Sequence, residues 1–276
     1  MNKSSDIQKK DGKTSWGKVA GWYDKMVEGE GNYQSGLILP NLLRILDIKK
    51  GMIMIDVACG QGFFSREFAK SGARVYGSDI APELIKLAEK NTPPSLRPKI
   101  TYQTSPSDNL SFIKSGSVDA VVIVLALQNI EKVKETISEC FRVSKSGGRL
   151  VLVLNHPAFR IPKESSWGWD ATAELKTGVK GVQYRRIDRY LSESSTKIQM
   201  HPSTSSGQVP VAGEFTISFH RPLQFYFKVL AKNNFLVSRF EEWTSNRVSE
   251  KGPRSEAEDR ARKEIPLILC IEADKK

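Results

Sequence analysis

The sequence predicts an α/β fold on a doubly wound, mostly parallel sheet, and three observations carry that prediction. Short apolar runs alternate with stretches of helical periodicity between Met52 and Leu154, which is the pattern of βαβ units. Two of the runs, Val121-Val-Ile-Val-Leu125 and Leu150-Val-Leu-Val-Leu154, are apolar throughout, as expected of strands covered by helices on both faces. The first strand runs into Asp56-Val-Ala-Cys-Gly-Gln-Gly62, a glycine turn that opens a helix.

Each element follows in order. Residues 1–14 read as a loose basic tail. Trp16, Val19, Ala20 and Tyr23 recur at helical spacing and predict a short amphipathic helix. Gly29 and Gly31 break it, and a second helix is expected over 37–46, ending before Lys49-Lys50-Gly51. Strands are then expected at 52–57, 74–78, 99–103, 118–124 and 149–154, with helices at 63–70, 82–90 and 133–143. Ser146-Gly-Gly reads as a turn before the fifth strand. From His156 to Arg221 the rhythm lapses into a stretch rich in Trp, Tyr, Ser and Arg. Within it, 183–190 and 214–220 read as strands of a small hairpin or cap, with the polar run Ser203-Thr-Ser-Ser-Gly-Gln208 between them. The α/β pattern resumes with a helix at 223–234 and strands at 235–243 and 265–272. The expected organisation is a tail (1–14), a lid and core (15–155), an inserted substrate cap (156–221) and the rest of the core (222–276).

The 276 residues carry a net charge of +11. That balance admits an acidic partner such as RNA, although the basic residues are spread along the chain and not gathered into one arm. The N-terminus has no apolar signal segment, and no apolar run approaches a membrane span. Cys59, Cys140 and Cys270 are far apart and form no metal-binding spacing. Reduced thiols, a cytoplasmic location and no metal are expected.

The glycine turn carries the chemistry. Glycines let a chain turn sharply and bring backbone N–H groups close to a ligand. Asp79 ends the second strand, where a carboxylate can accept both hydroxyls of a ribose. Two cofactor classes fit such a turn. A dinucleotide site prefers a small third residue, and Ser65 stands there. Asp56 separates the two: a carboxylate repels a pyrophosphate but attracts the ammonium and sulfonium of S-adenosylmethionine.

These residues also carry a family resemblance. Asp56-Val-Ala-Cys-Gly-Gln-Gly62 resembles motif I of class I S-adenosylmethionine-dependent methyltransferases. Val75-Tyr-Gly-Ser-Asp79-Ile80 resembles their second motif, and Asp119-Ala-Val-Val with Leu125-Ala-Leu-Gln-Asn129-Ile their fourth. Phe141-Arg-Val-Ser-Lys-Ser-Gly-Gly-Arg149-Leu resembles the stretch before the fifth strand. The wider run is similar to the ubiquinone/menaquinone-biosynthesis branch that acts on small molecules. The resemblance implies a Rossmann-like, seven-stranded sheet with an N-terminal helical lid and an inserted cap after the fifth strand. It implies that Asp56, Ala58, Gly60 and Gly62 surround the methionine part of the cofactor, that Asp79 holds the ribose and that Ile80 packs on adenine. Leu125 is counted with the cofactor residues, and Trp16, Tyr23 and Tyr33 with the lid over them. The third motif departs from the pattern, because Pro106 falls where an Asp is usual. Adenine recognition is then expected to pass to the Ser107 N–H and to Asp108.

On the acceptor side, Asn155-His156-Pro157 follows the fifth strand at the edge where open α/β sheets bind ligands. His156 is the first candidate general base and His220 the second. Asn129, Trp167, Trp169, Tyr184 and Arg185 are candidate substrate-binding residues, since aromatics interleaved with guanidinium groups suit a planar or anionic acceptor. The expected activity is methyl transfer to a small-molecule acceptor. An RNA methyltransferase, a non-catalytic S-adenosylmethionine-binding protein and a nicotinamide oxidoreductase are the alternatives.

Overall fold

The structure, a computed structural model, describes residues 16–17, 32–174, 180–199 and 215–276. Val19, Ala20, Tyr23 and the Ser203–Gln208 run lie outside the described residues. After one wide π turn at Gln34–Ile38, helix α1 covers Leu39–Leu46. Pro40 sits in its first turn, where a missing N–H leaves no bond unmade.

The core then alternates as expected. It runs β1 (Ile53–Val57), α2 (Phe63–Lys70), β2 (Arg74–Asp79), α3 (Pro82–Asn91), β3 (Ile100–Thr104), β4 (Val118–Val124), α4 (Val133–Val143) and β5 (Ser144–Asn155). Two hairpins follow, β6 (Ser165–Glu174) with β7 (Lys180–Ile187) and β8 (Ser194–Gln199) with β9 (Phe215–His220). Helix α5 (Leu223–Lys232), β10 (Phe235–Trp243), α6 (Ser255–Glu264) and β11 (Ile268–Lys275) close the chain.

The seven-stranded sheet has the order β10-β11-β5-β4-β1-β2-β3. Strands β1 to β5 run parallel, while β11 pairs antiparallel with both β5 and β10. The order reverses at β1, whose neighbours are β2 and β4. Crevices for ligands open outside the carboxyl ends of the strands at such a switch point. Both faces are covered. Ile55, Val121, Ile123, Leu150 and Leu152 pack on one side with Ile137 of α4 and Leu230 of α5. Met54, Val122, Val151 and Val153 pack on the other with Leu42 of α1 and Phe68 of α2. The alternation along each strand sends successive side chains to opposite layers. Each large side chain so covered contributes roughly 1.5–3 kcal/mol.

Four features depart from the sequence expectations. The Ser146-Gly-Gly turn and the fifth strand merge into one long β5, whose register with β4 jumps from Val118↔Ser144 to Ala120↔Arg149. Residues 145–148 bulge out there, with Gly147 in the left-handed region at φ 72°. The insertion forms two hairpins where one was expected, because β6 and β8 supply partners for the two expected strands. A polar helix, α6, lies before the last strand, and that strand begins at Ile268, three residues later than expected. Among the described residues no helix is long and apolar enough to cross a membrane, and the three cysteines are free.

Candidate active site

A cavity of about 510 Å³ opens at the switch point. The chain leaves β1 and β4 there through two residues that are not glycine yet have positive φ: Ala58 at 57° and Leu125 at 51°. Both line the cavity. Left-handed backbone at a residue with a side chain costs of order 1–3 kcal/mol and gathers at functional sites. Gly60 (φ 57°) and Gly62 (φ 80°) complete the turn. Gly62 is the residue before α2, and a Cβ there would collide with the Tyr102 hydroxyl. Close helix–sheet packing as well as backbone conformation therefore requires glycine.

Asp79 organises the wall of the cavity. One carboxylate oxygen accepts the Gly60 N–H at 2.9 Å and the other accepts the Ala81 N–H at 2.9 Å. Burial pushes its carboxyl above the usual range, against the pull of the Ala81, Gly60 and Ile80 amides. Each oxygen retains further acceptor capacity, so the group suits two adjacent hydroxyls. Next to it, Ile80 is an apolar side chain on the cavity wall that is 60% exposed, a surface for a flat ring. Pro106, Ser107 and Asp108 line the opposite part. The Asp108 carboxylate is engaged by Lys132 at 2.8 Å, and the Ser107 hydroxyl shares a 2.9 Å bond with Thr136. Trp16 also reaches this cavity and packs on Ala81 and Leu84, and Asn129 lies on its rim beside Glu131 and Lys132.

Asp56 sits elsewhere than the sequence suggests. It is buried behind the turn and does not line the cavity; Ser65 donates to it at 2.6 Å. Burial raises its carboxyl to about 7, with Ser65 opposing and the Asp79 charge adding to the rise. It bears on the cavity through the turn and not as part of the cavity wall.

The histidines need correction. His156 is 1% exposed and outside the cavity. Its Nδ1 accepts the Ala158 N–H at 3.2 Å, which leaves the proton on Nε2, 2.7 Å from a Glu242 oxygen. Burial lowers its pKa, and Glu242 opposes that. With both nitrogens occupied, it anchors the chain after β5 and is not placed as a base. His220 is also buried, its Nε2 donating to the Tyr190 carbonyl at 2.7 Å. Neither ring lines the cavity: His156 is held by Glu242 and the Ala158 amide, and His220 by the Tyr190 carbonyl.

The aromatic candidates separate. Tyr33 lies away from the cavity, bonded to Ser245 at 2.9 Å beneath the Arg247 guanidinium. Trp167 and Arg185 face each other across β6 and β7 and share a smaller pocket with Tyr33. Trp169 packs under Arg254, and Tyr184 lies across Gly168. The hairpin therefore does not close over the cavity. Sequence reasoning missed Leu84, Ser105, Asn109, Ala126 and Ile130 on the cavity wall; their positions just beyond strand ends or on the facing helix are the only sequence signal. Among the described residues no group of His, Cys, Asp and Glu could hold a metal ion.

Comparison with known proteins agrees with this geometry. Residues 55–152 match the family model described as "Methyltransferase domain". A demethylmenaquinone methyltransferase of Thermobifida fusca is 30% identical over 156 residues, covering 54% of this chain and 63% of that protein. A ubiquinone biosynthesis O-methyltransferase of Xanthomonas oryzae is 34% identical over 102 residues, covering 37% and 42%. The chain thus spans less than two thirds of the length of the relatives it matches. The crystal structure of an S-adenosylmethionine dependent methyltransferase from Mesorhizobium loti superposes with a TM-score of 0.62 at 24% identity, over 86% of this chain and 96% of that one. Residues 55–152 are thus similar to the methyltransferase-domain family, and the sheet built around them has the class I methyltransferase fold.

Proposed function

We propose that the chain is an S-adenosylmethionine-dependent methyltransferase that acts on a small-molecule acceptor, in the cytoplasm. The observation that carries this reading is the Asp79–Gly60 pairing inside a 510 Å³ cavity, flanked by the exposed Ile80. The residues fit the donor. Asp79 would hold the ribose hydroxyls, Ile80 would cover the adenine, and Ala58 and Gly60 would border the methionine part. When bound, the sulfonium supplies an electrophilic methyl group.

The chain's own contribution is positioning and exclusion of water. The strained Ala58 and Leu125 would bring backbone close to the donor. Trp16 forms part of the cavity wall. Asn129, Glu131 and Lys132 border the side where an acceptor would enter. No histidine lines the cavity among the described residues, so the reading relies on orientation of an already nucleophilic acceptor atom and not on a histidine base. The names of the relatives, a demethylmenaquinone methyltransferase and a ubiquinone biosynthesis O-methyltransferase, support a small-molecule acceptor over RNA.

The test is transfer from S-adenosylmethionine labelled in its methyl group, with the full chain and a fractionated cell extract. Label in the small-molecule fraction is the expected result. Label in the RNA fraction would replace the acceptor class, and binding of the donor with no label anywhere would support a non-catalytic binder.

A further inference from the structure

A second pocket, of about 290 Å³, lies on the same edge of the sheet. Asn155 of β5 pairs with Ile268 of β11 there, and the His156 N–H bonds to the Leu267 carbonyl at 3.1 Å. The chain that follows β5 contributes Phe159 and Arg160, and the hairpin contributes Trp167 and Arg185. Tyr33 and Arg262 close the sides. It has no lining residue in common with the cavity at Asp79.

Its charge is one-sided. Three arginines line it and no acidic residue does. Elsewhere Arg44, Arg142, Arg149, Arg186, Arg189 and Arg239 each sit against a carboxylate, while Arg66 and Arg97 are held by neutral oxygens. Arg262 is likewise paired with Glu258 and Asp259. Among the described residues Arg185 is held by neutral groups alone. It donates to the Phe159 carbonyl and to the Ser165 hydroxyl, both at 2.7 Å, and its guanidinium stands 5.3 Å from the Trp167 ring centre. Its plane is thereby fixed while its charge stays unmatched. The Arg160 side chain makes no hydrogen bond or ion pair among the described residues. Burial pulls both groups below the ordinary guanidinium range, and the Arg160 charge adds to this at Arg185. Arg185 is half-buried and Arg160 exposed, so the cost of an unmatched, desolvated charge falls on Arg185, and the two guanidinium groups stand close enough to repel. They match an oxyanion with fixed forks of donors. Apart from Ser245, the remaining wall is apolar and aromatic: Tyr33, Phe159, Trp167 and the segment from Ile265 to Leu267.

We propose that this pocket binds a small organic oxyanion, a carboxylate or phosphate monoester carried on a flat apolar body. The oxyanion lies between Arg160 and Arg185, and the body packs against Trp167 and Tyr33. The volume suits one aromatic ring with its acidic substituent. The site stands whether or not the neighbouring cavity carries out methyl transfer.

The experiment is calorimetric titration of the full chain with phenylacetate, phenyl phosphate and neutral phenylacetamide, with S-adenosylhomocysteine titrated separately. At least one oxyanion is expected to saturate the protein while the amide does not. The tighter of the two identifies carboxylate or phosphate as the preferred head group. Arg160→Gln should weaken that oxyanion about tenfold or more, the loss of a charge-assisted hydrogen bond, and leave S-adenosylhomocysteine affinity unchanged. Arg160 has no side-chain bonds to lose, so the fold should survive; if it did not, Trp167→Ala, at a position 44% exposed, carries the same comparison. Equal binding of acid and amide, no saturation by either oxyanion, or unchanged affinity in both variants would overturn the proposal. Failure of S-adenosylhomocysteine alone would count against the methyltransferase reading and not against this pocket.

Discussion

The Asp79 carboxylate holds the Gly60 amide at 2.9 Å, tying the end of β2 to the glycine turn that leaves β1. The same carboxylate accepts the Ala81 amide, so one side chain sets two backbone segments on the cavity wall. Asp79→Ala should weaken S-adenosylhomocysteine binding by about tenfold or more, as expected for loss of hydrogen bonds to a charged group. Asp79→Asn, which keeps one acceptor, should fall between the two. Calorimetry on all three proteins checks the order.

Gly62→Ala should destabilise the fold by about 1–3 kcal/mol, because it combines left-handed backbone with a clash. The clash is with the Tyr102 hydroxyl. Adding Tyr102→Phe should recover part of the loss and leave the part due to φ. Denaturant unfolding of both single variants and the double variant separates the two causes; strictly additive effects would show that the hydroxyl does not matter.

Asp56 gives the protein a signature in pH. Its carboxyl is raised by burial from an ordinary 3.8 to about 7 in the fold. A raised carboxylate favours the folded state while protonated, so its contribution is intact below about pH 4 and is lost as pH climbs to about 7. Asp56→Asn, neutral at every pH, should therefore be more stable than the parent at pH 8, with the gap closing toward pH 4. The gap is at most a few kcal/mol. Thermal melts across this range decide it, and parallel curves for the two proteins would remove the assignment.

His156 carries the opposite sign. Burial depresses its pKa below 6.5, so the neutral ring is the folded form and protonation below about pH 6.5 costs stability. His156→Gln should lower stability by about 1–3 kcal/mol through the partners it leaves in the interior. The S-adenosylhomocysteine affinity of the folded protein should not change. A large loss of kcat with stability intact would restore a catalytic role.

The sheet was legible because its elements carry strong periodic burial. Helices 63–70 and 133–143 and strands 118–124 and 235–243 begin and end where the sequence pattern predicts. Helix Ser255–Glu264 escaped notice because it buries only Ala257 and Ala261, too little apolar signal to set a period. Strand Ser165–Glu174 has no buried face, so no alternation marks it. At the site, the glycines and Asp79 were legible from turn chemistry. The left-handed Ala58 and Leu125 were not legible as strained, since neither residue type advertises that conformation. The position of His156 at the sheet edge was correct, but the inward turn of its ring depends on Glu242, 86 residues away in the chain. Arg160 is not legible in the sequence, because its meaning lies in a pocket that no carboxylate lines among the described residues.

The central claim is that the cavity at Asp79 receives the nucleoside of S-adenosylmethionine. Calorimetric titration with S-adenosylhomocysteine, alongside NADH, tests it most directly. The account predicts one saturable site for S-adenosylhomocysteine, weakened about tenfold or more by Asp79→Ala, and no comparable site for NADH. Saturable NADH binding lost in Asp79→Ala, with no binding of S-adenosylhomocysteine, would contradict it.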